Sequence, residues 1–293
     1  MAGAEHLEAR VARTLLPPRE EGASKAEVGR VVVVAGAPGM DGAAILAARA
    51  ALRSGVGRVT VFTHPDLVRP VAVAVPEVLV LPFGWVGGHF GRTAADDVAF
   101  RADAWRAVVV GGPGLDDLPG ATDFLDELLS GCVRPVVADG AALKTLHGSA
   151  PAPYPGPRIF TPHPGEAAGV LGQDIGSVRA DRAVAALEMA KRWRATFVMK
   201  GGPALVATAG GRLVDCGGVA GLATPGTGTV LASVVAGLWA MGCSSEGAAQ
   251  LGAYLVAEAG RLLTERIGPY GFLASEVADA VPQALGRLVR GTE

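Results

Sequence analysis

Short apolar runs alternate along this chain with longer stretches rich in Ala and Leu. The runs have the length of β-strands, and each ends in Gly, Pro or a polar residue. The predicted strands are 31–34, 58–62, 108–110, 135–138, 159–160 and 197–199. This alternation is typical of parallel strands joined by crossover helices, so it predicts an α/β fold with a mostly parallel central sheet.

Helices and one hairpin complete the predicted pattern. Residues 204–207 and 212–214 read as the two strands of a hairpin. The predicted helices are 43–54, 230–241, 246–267 and 275–289. We interpret 84–91 and 149–157 as surface loops and not as domain boundaries. The whole chain, 1–293, is therefore expected to form a single domain.

One stretch, 216–245, contains no charged residue. Glycines and a proline interrupt its first half, so the remaining apolar part is shorter than the roughly 20 residues that span a bilayer. It predicts a loop followed by a buried helix, and no contact with a membrane is expected. Near the start of the chain, Glu5, Glu8 and Arg10 stand where an export signal would need an apolar core.

Composition and charge exclude several classes of protein. The hydrophobic content of 50% excludes a disordered chain. The 26 Lys and Arg against 28 Asp and Glu give a net charge of −2, which provides no net attraction to nucleic acid or to an anionic membrane. Cys132, Cys216 and Cys243 are far apart and lack a His at ligand spacing, so neither a disulfide framework nor a metal site is predicted. Reduced thiols and a cytoplasmic location are expected.

The segment 224–229, Thr-Pro-Gly-Thr-Gly-Thr, is the strongest local signal for a binding site. It lies directly before the predicted apolar helix, where glycines allow the N–H groups of a helix N-terminus to converge on an anion. A phosphate is the expected ligand. The alternative is a turn that only packs the helix against the sheet.

Three further loops follow predicted strands, where an open α/β sheet binds its ligands. The segment 36–43 has glycines spaced by three, which fits a dinucleotide fingerprint poorly. His163 stands between two prolines, and Lys200 precedes two glycines and could meet a phosphate as a point charge. The alternatives are a simple turn, a structural His and a solvated Lys.

Taken together and in order, these motifs resemble the ADP/ATP-dependent NAD(P)H-hydrate dehydratase family, a branch of the ribokinase-like fold. The matching segments are 16–19, 25–29, 36–43, 51–57, 76–77, 112–115, 161–166, 200–201, 226–228 and 273–275. The resemblance implies helices on both faces of the sheet and the activity of a carbon–oxygen lyase. Family members phosphorylate the hydroxyl of hydrated NADH or NADPH and then lose phosphate, which restores the cofactor.

The resemblance also implies two binding regions. Ala43, Gly114 in the turn 112–115, and His163 would face the hydrated nicotinamide. The residues implied for the adenine nucleotide are Lys200, Gly201, Gly202, Pro203, Ala204, Gly226, Thr227 and Gly228. ATP or ADP is the implied cofactor, with Mg²⁺ reaching the site through the phosphates. The expected partner is a small-molecule or dinucleotide substrate, and a homo-oligomer is left open because family members often assemble.

This chain departs from the family motifs around the implied site of phosphoryl transfer. Thr229 stands where the family sequence Gly-Thr-Gly-Asp has its catalytic Asp. A hydroxyl cannot act as a general base near neutral pH, and loss of such a base costs about 10²- to 10⁴-fold in rate. Pro203 and Ala204 end a loop that reads Lys-Gly-x-Gly-Thr in the family, and Asp116 replaces a glycine. The family sequence Asp-Ala-Asp-Ala-Leu-Asn reads Asp-Gly-Ala-Ala-Leu-Lys at 139–144.

Three functions follow from these motifs and departures. In the first, the chain is a diverged lyase or cyclase that works without ATP, and Asp41, Asp116, Asp139 and His163 are the ionisable groups best placed to act. In the second, it is a genuine ADP/ATP-dependent dehydratase in which Asp116 or Asp139 serves through water as a displaced base. In the third, it is non-catalytic and binds a dinucleotide or a protein partner.

Overall fold

A central sheet of ten strands organises the computed structural model, which describes residues 3–20, 22–25, 27–146 and 153–291. The strands are β1 (Glu5–His6), β2 (Arg30–Val34), β3 (Arg58–Thr63), β4 (Leu79–Pro82), β5 (Trp85–Val86), β6 (His89–Phe90), β7 (Val108–Gly111), β8 (Val136–Ala138), β9 (Arg158–Phe160), β10 (Thr196–Met199), β11 (Leu205–Ala207) and β12 (Leu213–Asp215). Their order in the sheet is β1-β12-β11-β10-β9-β8-β7-β2-β3-β4, and β5 and β6 form a separate hairpin.

Helices connect these strands. They are α1 (Ala9–Thr14), α2 (Asp41–Arg53), α3 (Val68–Ala74), α4 (Ala94–Ala104), α5 (Ala121–Gly131), α6 (Pro164–Leu171), α7 (Ile175–Ala180), α8 (Arg182–Trp193), α9 (Thr227–Ala240), α10 (Ser245–Arg266) and α11 (Ala274–Arg290). Short 3₁₀ helices cover Pro65–Leu67, Gly140–Thr145 and Ala220–Leu222.

The sheet is buried on both faces, as an apolar run without alternation predicts. In β2, Val31 and Val33 face one hydrophobic core, which includes residues of α2, α9, α10 and α11. Val32 and Val34 face a second core, which includes residues of α4, α5, α6 and α8. Successive side chains of a strand point to opposite faces, so this strand needs helices on both sides. The predicted layers are confirmed.

The strand directions place several loops at one edge of the sheet. The strands β2, β3, β4, β7, β8, β9 and β10 run parallel to one another, and β11 is antiparallel to β10 and β12. The predicted hairpin is thus present as β11 and β12. Because parallel strands end at the same edge, the segments after β2, β7, β8, β9 and β10 meet there.

The uncharged segment behaves as its composition predicts. Residues 216–226 form a loop with a short 3₁₀ turn, and α9 follows it. Every residue of α9 from Val230 to Trp239 is buried. A helix that is apolar on all sides is stable in water only when protein surrounds it, and here α2, α10 and the sheet do so.

The prediction of a surface loop at 84–91 is wrong in part. This segment contains β5 and β6, and the rings of Trp85 and Phe90 pack edge to face with centroids 5.1 Å apart. Phe90 also stacks on Phe124 of α5 at 4.2 Å, and these ring contacts hold the hairpin against the protein. For the second predicted loop, residues 149–152 lie outside the described residues. Among those described, no helix combines the length and apolar character needed to cross a membrane.

Candidate active site

Backbone hydrogen bonds continue past the ends of the parallel strands and hold the loops of this edge together. Gly36 N–H donates to the Pro113 carbonyl at 2.9 Å, which joins the loops after β2 and β7. Lys200 N–H donates to the Pro162 carbonyl at 2.7 Å, which joins the loops after β10 and β9. These bonds join four of the predicted site segments in two pairs along this edge.

Lys200 is the centre of a charged cluster at this edge. Its Nζ lies 2.7 Å from Asp139 Oδ1 and 3.2 Å from Glu166 Oε2. The Thr161 hydroxyl also donates to Asp139 Oδ1, at 2.7 Å. The Asp139 side chain is only 5% exposed, so these bonds compensate the burial of its carboxylate. No hydrogen bond to Asp139 Oδ2 occurs among the described residues.

The two carboxylates determine the protonation state of Lys200. Burial alone would lower the pKa of this ammonium, but the charges of Asp139 and Glu166 and their hydrogen bonds outweigh that effect and raise the pKa above its ordinary value. Lys200 is therefore positively charged throughout the neutral pH range. It can offer that charge to a phosphate.

His163 and Glu166 form the start of α6. His163 Nδ1 accepts hydrogen bonds from the N–H groups of Gly165 at 2.9 Å and Glu166 at 3.1 Å. In return, Glu166 Oε2 accepts a hydrogen bond from His163 N–H at 2.7 Å, which completes a capping box. The His163 side chain is 55% exposed, and its Nε2 lies 3.7 Å from Glu166 Oε2, beyond hydrogen-bond distance, so this ring nitrogen can contact another partner.

The N-terminus of α9 lies beside the Lys200 ammonium. Gly226 precedes the helix with a φ of 92°, and no side chain among the described residues caps it. A Cβ atom on Gly228 would lie 3.2 Å from Lys200 Nζ, so the first turn and the ammonium are in close proximity. Both carry positive character, and both attract a phosphate.

Thr227 and Thr229 of this segment differ in their contacts. The Thr227 hydroxyl donates to the carbonyls of Leu222 and Thr224, both at 2.8 Å, and so fixes the turn before α9. The Thr229 hydroxyl is half-buried and has no hydrogen bond in the part of the chain that the structure describes. Thr227 is a structural residue of this turn, and Thr229 is available to a ligand.

The segment 200–204 borders a small apolar cavity. Arg182 donates to the Pro203 carbonyl at 2.8 Å and to the Lys200 carbonyl at 3.4 Å, and a side chain at Gly201 would collide with its guanidinium. The cavity has a volume of about 180 Å³. Its walls come from the predicted nucleotide loop, the 3₁₀ turn before α9, and one face of α10 that carries Ala253, Val256 and Ala257.

The predicted substrate residues Ala43 and Gly114 are in direct contact. A Cβ atom on Gly114 would lie 2.5 Å from the Ala43 Cβ, and the φ of Gly114 is 67°, so glycine is required for this approach. Asp41 begins α2 nearby, and its side chain makes no hydrogen bond or ion pair among the described residues. The loops after β2 and β7 therefore form one wall of the edge.

Two of the departures from the family motifs contact each other. Lys144 Nζ lies 3.1 Å from Asp116 Oδ1 and donates to the Asp116 carbonyl at 3.3 Å. Asp116 and Lys144 are 41% and 54% exposed, so this ion pair is close to solvent. Asp116 is thus engaged away from Lys200, whereas Asp139 contacts Lys200 directly.

Sequence reasoning assigned no role to three residues of this site, Thr161, Glu166 and Arg182, although the first two lie in the matching segment 161–166. Glu166 had a readable signal, since a Glu three residues after a capping residue is typical of a helix start. Arg182 lies 18 residues before Lys200 and supports the loop only through the fold. No group of three or more His, Cys, Asp and Glu side chains in the described ranges could hold a metal ion by itself.

The sheet order and the glycine-lined edge define an α/β protein of the ribokinase-like class. A ribokinase-like superfamily protein from Enterococcus faecalis has the same fold, with a TM-score of 0.83 and 24% identity over 99% of this chain and 98% of that one. The ADP/ATP-dependent NAD(P)H-hydrate dehydratase of Bacillus subtilis, co-crystallised with ATP and Mg²⁺, superimposes with a TM-score of 0.85 and 26% identity over 98% of this chain and all of that one.

Sequence comparison gives the family. The model of the NAD(P)H-hydrate dehydratase family matches residues 31–283. The ADP-dependent (S)-NAD(P)H-hydrate dehydratase of Xanthomonas campestris is 39% identical over 92% of each chain. The chain belongs to the NAD(P)H-hydrate dehydratase family, as the motifs predict, and its named relatives are dehydratases, which are carbon–oxygen lyases.

Some relatives are longer proteins. A bifunctional NAD(P)H-hydrate repair enzyme of Moorella thermoacetica is 34% identical over 96% of this chain, which spans only 54% of that protein. The similarity thus covers about half of the bifunctional enzyme.

Proposed function

We propose that this chain uses ADP or ATP to dehydrate hydrated NADH or NADPH, with Asp139 in the role of the missing carboxylate at position 229. The observation that carries this proposal is the position of Lys200, between Asp139, Glu166 and the first turn of α9. An ammonium beside an uncapped helix N-terminus is suited to a phosphate, and the second oxygen of the buried Asp139 carboxylate, Oδ2, has no hydrogen bond among the described residues and can accept a proton.

The adenine ring would occupy the cavity of about 180 Å³ behind the segment 200–204. Its volume is below the roughly 300 Å³ at which whole-ligand pockets begin, so it suits a ring and not a complete nucleotide. The phosphates would then extend past Gly228 to Lys200. Asp139 and Glu166 are the carboxylates nearest to them, and Mg²⁺ bound through the phosphates would find its protein oxygens there.

The hydrated nicotinamide would lie on the other side of Lys200, against the wall formed by Ala43 and Gly114. His163 closes this side, since its Nδ1 is held by the capping box and Nε2 is left to contact the substrate. Thr229 can donate a hydrogen bond to a phosphate oxygen, although its hydroxyl cannot remove a proton at neutral pH.

In the proposed reaction, the substrate hydroxyl oxygen attacks the terminal phosphorus, and the bond from that phosphorus to the leaving nucleotide oxygen breaks. The hydroxyl proton passes to Asp139 Oδ2. The phosphorylated substrate then loses inorganic phosphate together with a proton, and the double bond of the reduced nicotinamide forms. Lys200 balances negative charge on the phosphate oxygens during the transfer.

The test is a repair assay with purified protein, hydrated NADPH and either ATP or ADP, followed by the absorbance of reduced nicotinamide. Asp139→Asn should lower kcat by about 10²- to 10⁴-fold. Asp41→Asn and Asp116→Asn remove the same charge from carboxylates that do not contact Lys200, so both should remain near wild type. Thr229→Asp should raise kcat, because it returns a carboxylate to the first turn of α9.

Calorimetric titration with ADP separates binding from turnover in the same variants. Tight binding of ADP by a wild-type protein without activity would favour a different function, that of a non-catalytic protein that binds a dinucleotide. The hydroxyl of Thr229, in place of the catalytic carboxylate, supports this second candidate. If the wild type neither binds ADP nor turns over hydrated NADPH, both candidates are overturned. Equal activity of Asp139→Asn and the wild type would reject Asp139 as the proton acceptor.

A cytoplasmic location belongs to the same proposal and rests on the three free, buried cysteines.

A further inference from the structure

Three basic side chains line a cavity at the opposite end of the sheet from the candidate active site. Lys25, Arg30 and Arg58 surround a space of about 430 Å³ together with Glu77 and the indole of Trp105. Arg30 is the first residue of β2 and Arg58 the first residue of β3, so the cavity lies at the amino ends of these strands.

The positive charges of this cavity are not compensated. Among the described residues, Lys25, Arg30, Arg58 and Glu77 make no ion pair and no side-chain hydrogen bond. Three positive charges against one negative charge leave an excess of two. By contrast, Arg49 and Arg53 on α2 share the carboxylate of Asp279.

The strand register brings two of these charges together. Arg30 and Arg58 are directly paired positions of the parallel strands β2 and β3. Adjacent strands are about 4.8 Å apart, and like charges at paired positions destabilise a sheet. The neighbouring loop is fixed, because Gly57 N–H donates to the Val28 carbonyl at 3.3 Å and a side chain at Gly57 would collide with the Lys25 carbonyl.

We propose that this cavity binds a phosphate-bearing anion, which Arg30 and Arg58 bridge and Lys25 covers. A guanidinium presents paired N–H donors that match two phosphate oxygens, and an ammonium adds a point charge. Trp105 also lines the cavity, where its ring can provide an apolar wall on one side of the anion. The site is independent of the proposed repair activity, since none of its lining residues belongs to the candidate active site.

Inorganic pyrophosphate is the probe for this site, measured by calorimetric titration and by Tm against sodium chloride of equal ionic strength. The wild type should bind pyrophosphate, and its Tm should rise with pyrophosphate concentration. Arg58→Gln and Arg30→Gln should each weaken binding by about tenfold, the effect of losing one charge-assisted hydrogen bond. Arg69→Gln, which removes an exposed charge from α3, is the matched control.

Lys200→Gln identifies pyrophosphate that binds at the candidate active site instead. This variant should keep the wild-type affinity for pyrophosphate, which Arg58→Gln lowers about tenfold. Loss of binding in Lys200→Gln but not in Arg58→Gln would overturn the proposal, as would the absence of binding to the wild type. Arg58 is exposed, so Arg58→Gln retains the fold even if Arg30→Gln does not.

Discussion

His163 and Glu166 each serve both a helix and the candidate active site. His163 uses Nδ1 to cap α6, and Glu166 uses Oε2 to close the capping box and to contact Lys200 at 3.2 Å. The start of α6 is thereby tied to the charged cluster. A substitution at either residue will affect both stability and ligand binding, so the two effects need to be separated.

Replacement of His163 by Asn or by Ala separates the two roles. Asn can accept the same backbone hydrogen bonds, so the free energy of unfolding of His163→Asn should lie within a few tenths of a kcal/mol of the wild-type value. That of His163→Ala should be lower by about 1 kcal/mol. Both variants lose Nε2 and should raise KM for hydrated NADPH alike. Urea denaturation and steady-state kinetics measure the two effects. A KM change in His163→Ala alone would assign the whole effect to the helix cap.

The sequence predicts single site residues better than it predicts their contacts. Lys200 and Gly228 stand out because their neighbours are glycines or a strand end, which are local signals. The contact of Lys200 with Asp139 joins residues 61 positions apart, and the pairing of Asp116 with Lys144 depends on how the loop after β7 meets a 3₁₀ helix. Such contacts depend on topology, and a local motif does not contain that information.

At the scale of secondary structure, the packing of α9 on α2 fixes the position of the candidate phosphate site. Gly237 of α9 meets Ser54 at the end of α2 so closely that a Cβ atom there would collide with the serine Oγ. The Ser54 hydroxyl is buried and donates to the Ala51 carbonyl at 2.6 Å. Any side chain at 237 must therefore push the two helices apart.

Gly237→Ala should destabilise the protein by about 1–3 kcal/mol through overpacking and should weaken ADP binding, because α9 carries Gly228. Gly169→Ala is the matched control. Gly169 is an exposed glycine of α6 with open space around its Cα, so alanine there should stabilise by up to about 1 kcal/mol. Denaturation midpoints and ADP titrations test both variants. Equal stability of the two variants would contradict the packing argument.

Central elements were predictable and peripheral ones were not. The strands β2, β3, β7, β8 and β10 are buried apolar runs, and the predicted boundaries agree within a residue or two. The strand β4 is an outermost strand of the sheet, includes Pro82 and is partly exposed. The strand β1 has only two residues. Such strands lack a continuous apolar signal, since one side faces solvent.

At the scale of the whole molecule, the three cysteines report on the integrity of both cores. Cys132 lies in one core, whereas Cys216 and Cys243 lie in the other, and all three are buried and free. Burial raises the pKa of each thiol, that of Cys243 to about 11. A thiol reacts with disulfide reagents through its thiolate, which these groups do not form near neutral pH.

The native protein at pH 8 should therefore react slowly with Ellman's reagent, and all three thiols should react at once in guanidinium chloride. The rate of the native reaction should follow the population of the unfolded form as denaturant is added. Rapid labelling of one thiol before the unfolding transition would mean that its core opens locally.

Asp139 and Lys200 are 61 residues apart in the chain, and this separation affects the order in which the protein folds. The two side chains meet only after β8, β9 and β10 have aligned side by side, and contacts between distant segments form late because closing long loops costs chain entropy. A refolding chain should thus regain its affinity for adenine nucleotide last, after secondary structure has appeared. The rate at which nucleotide binding recovers during refolding would then report the rate of the final assembly of the sheet.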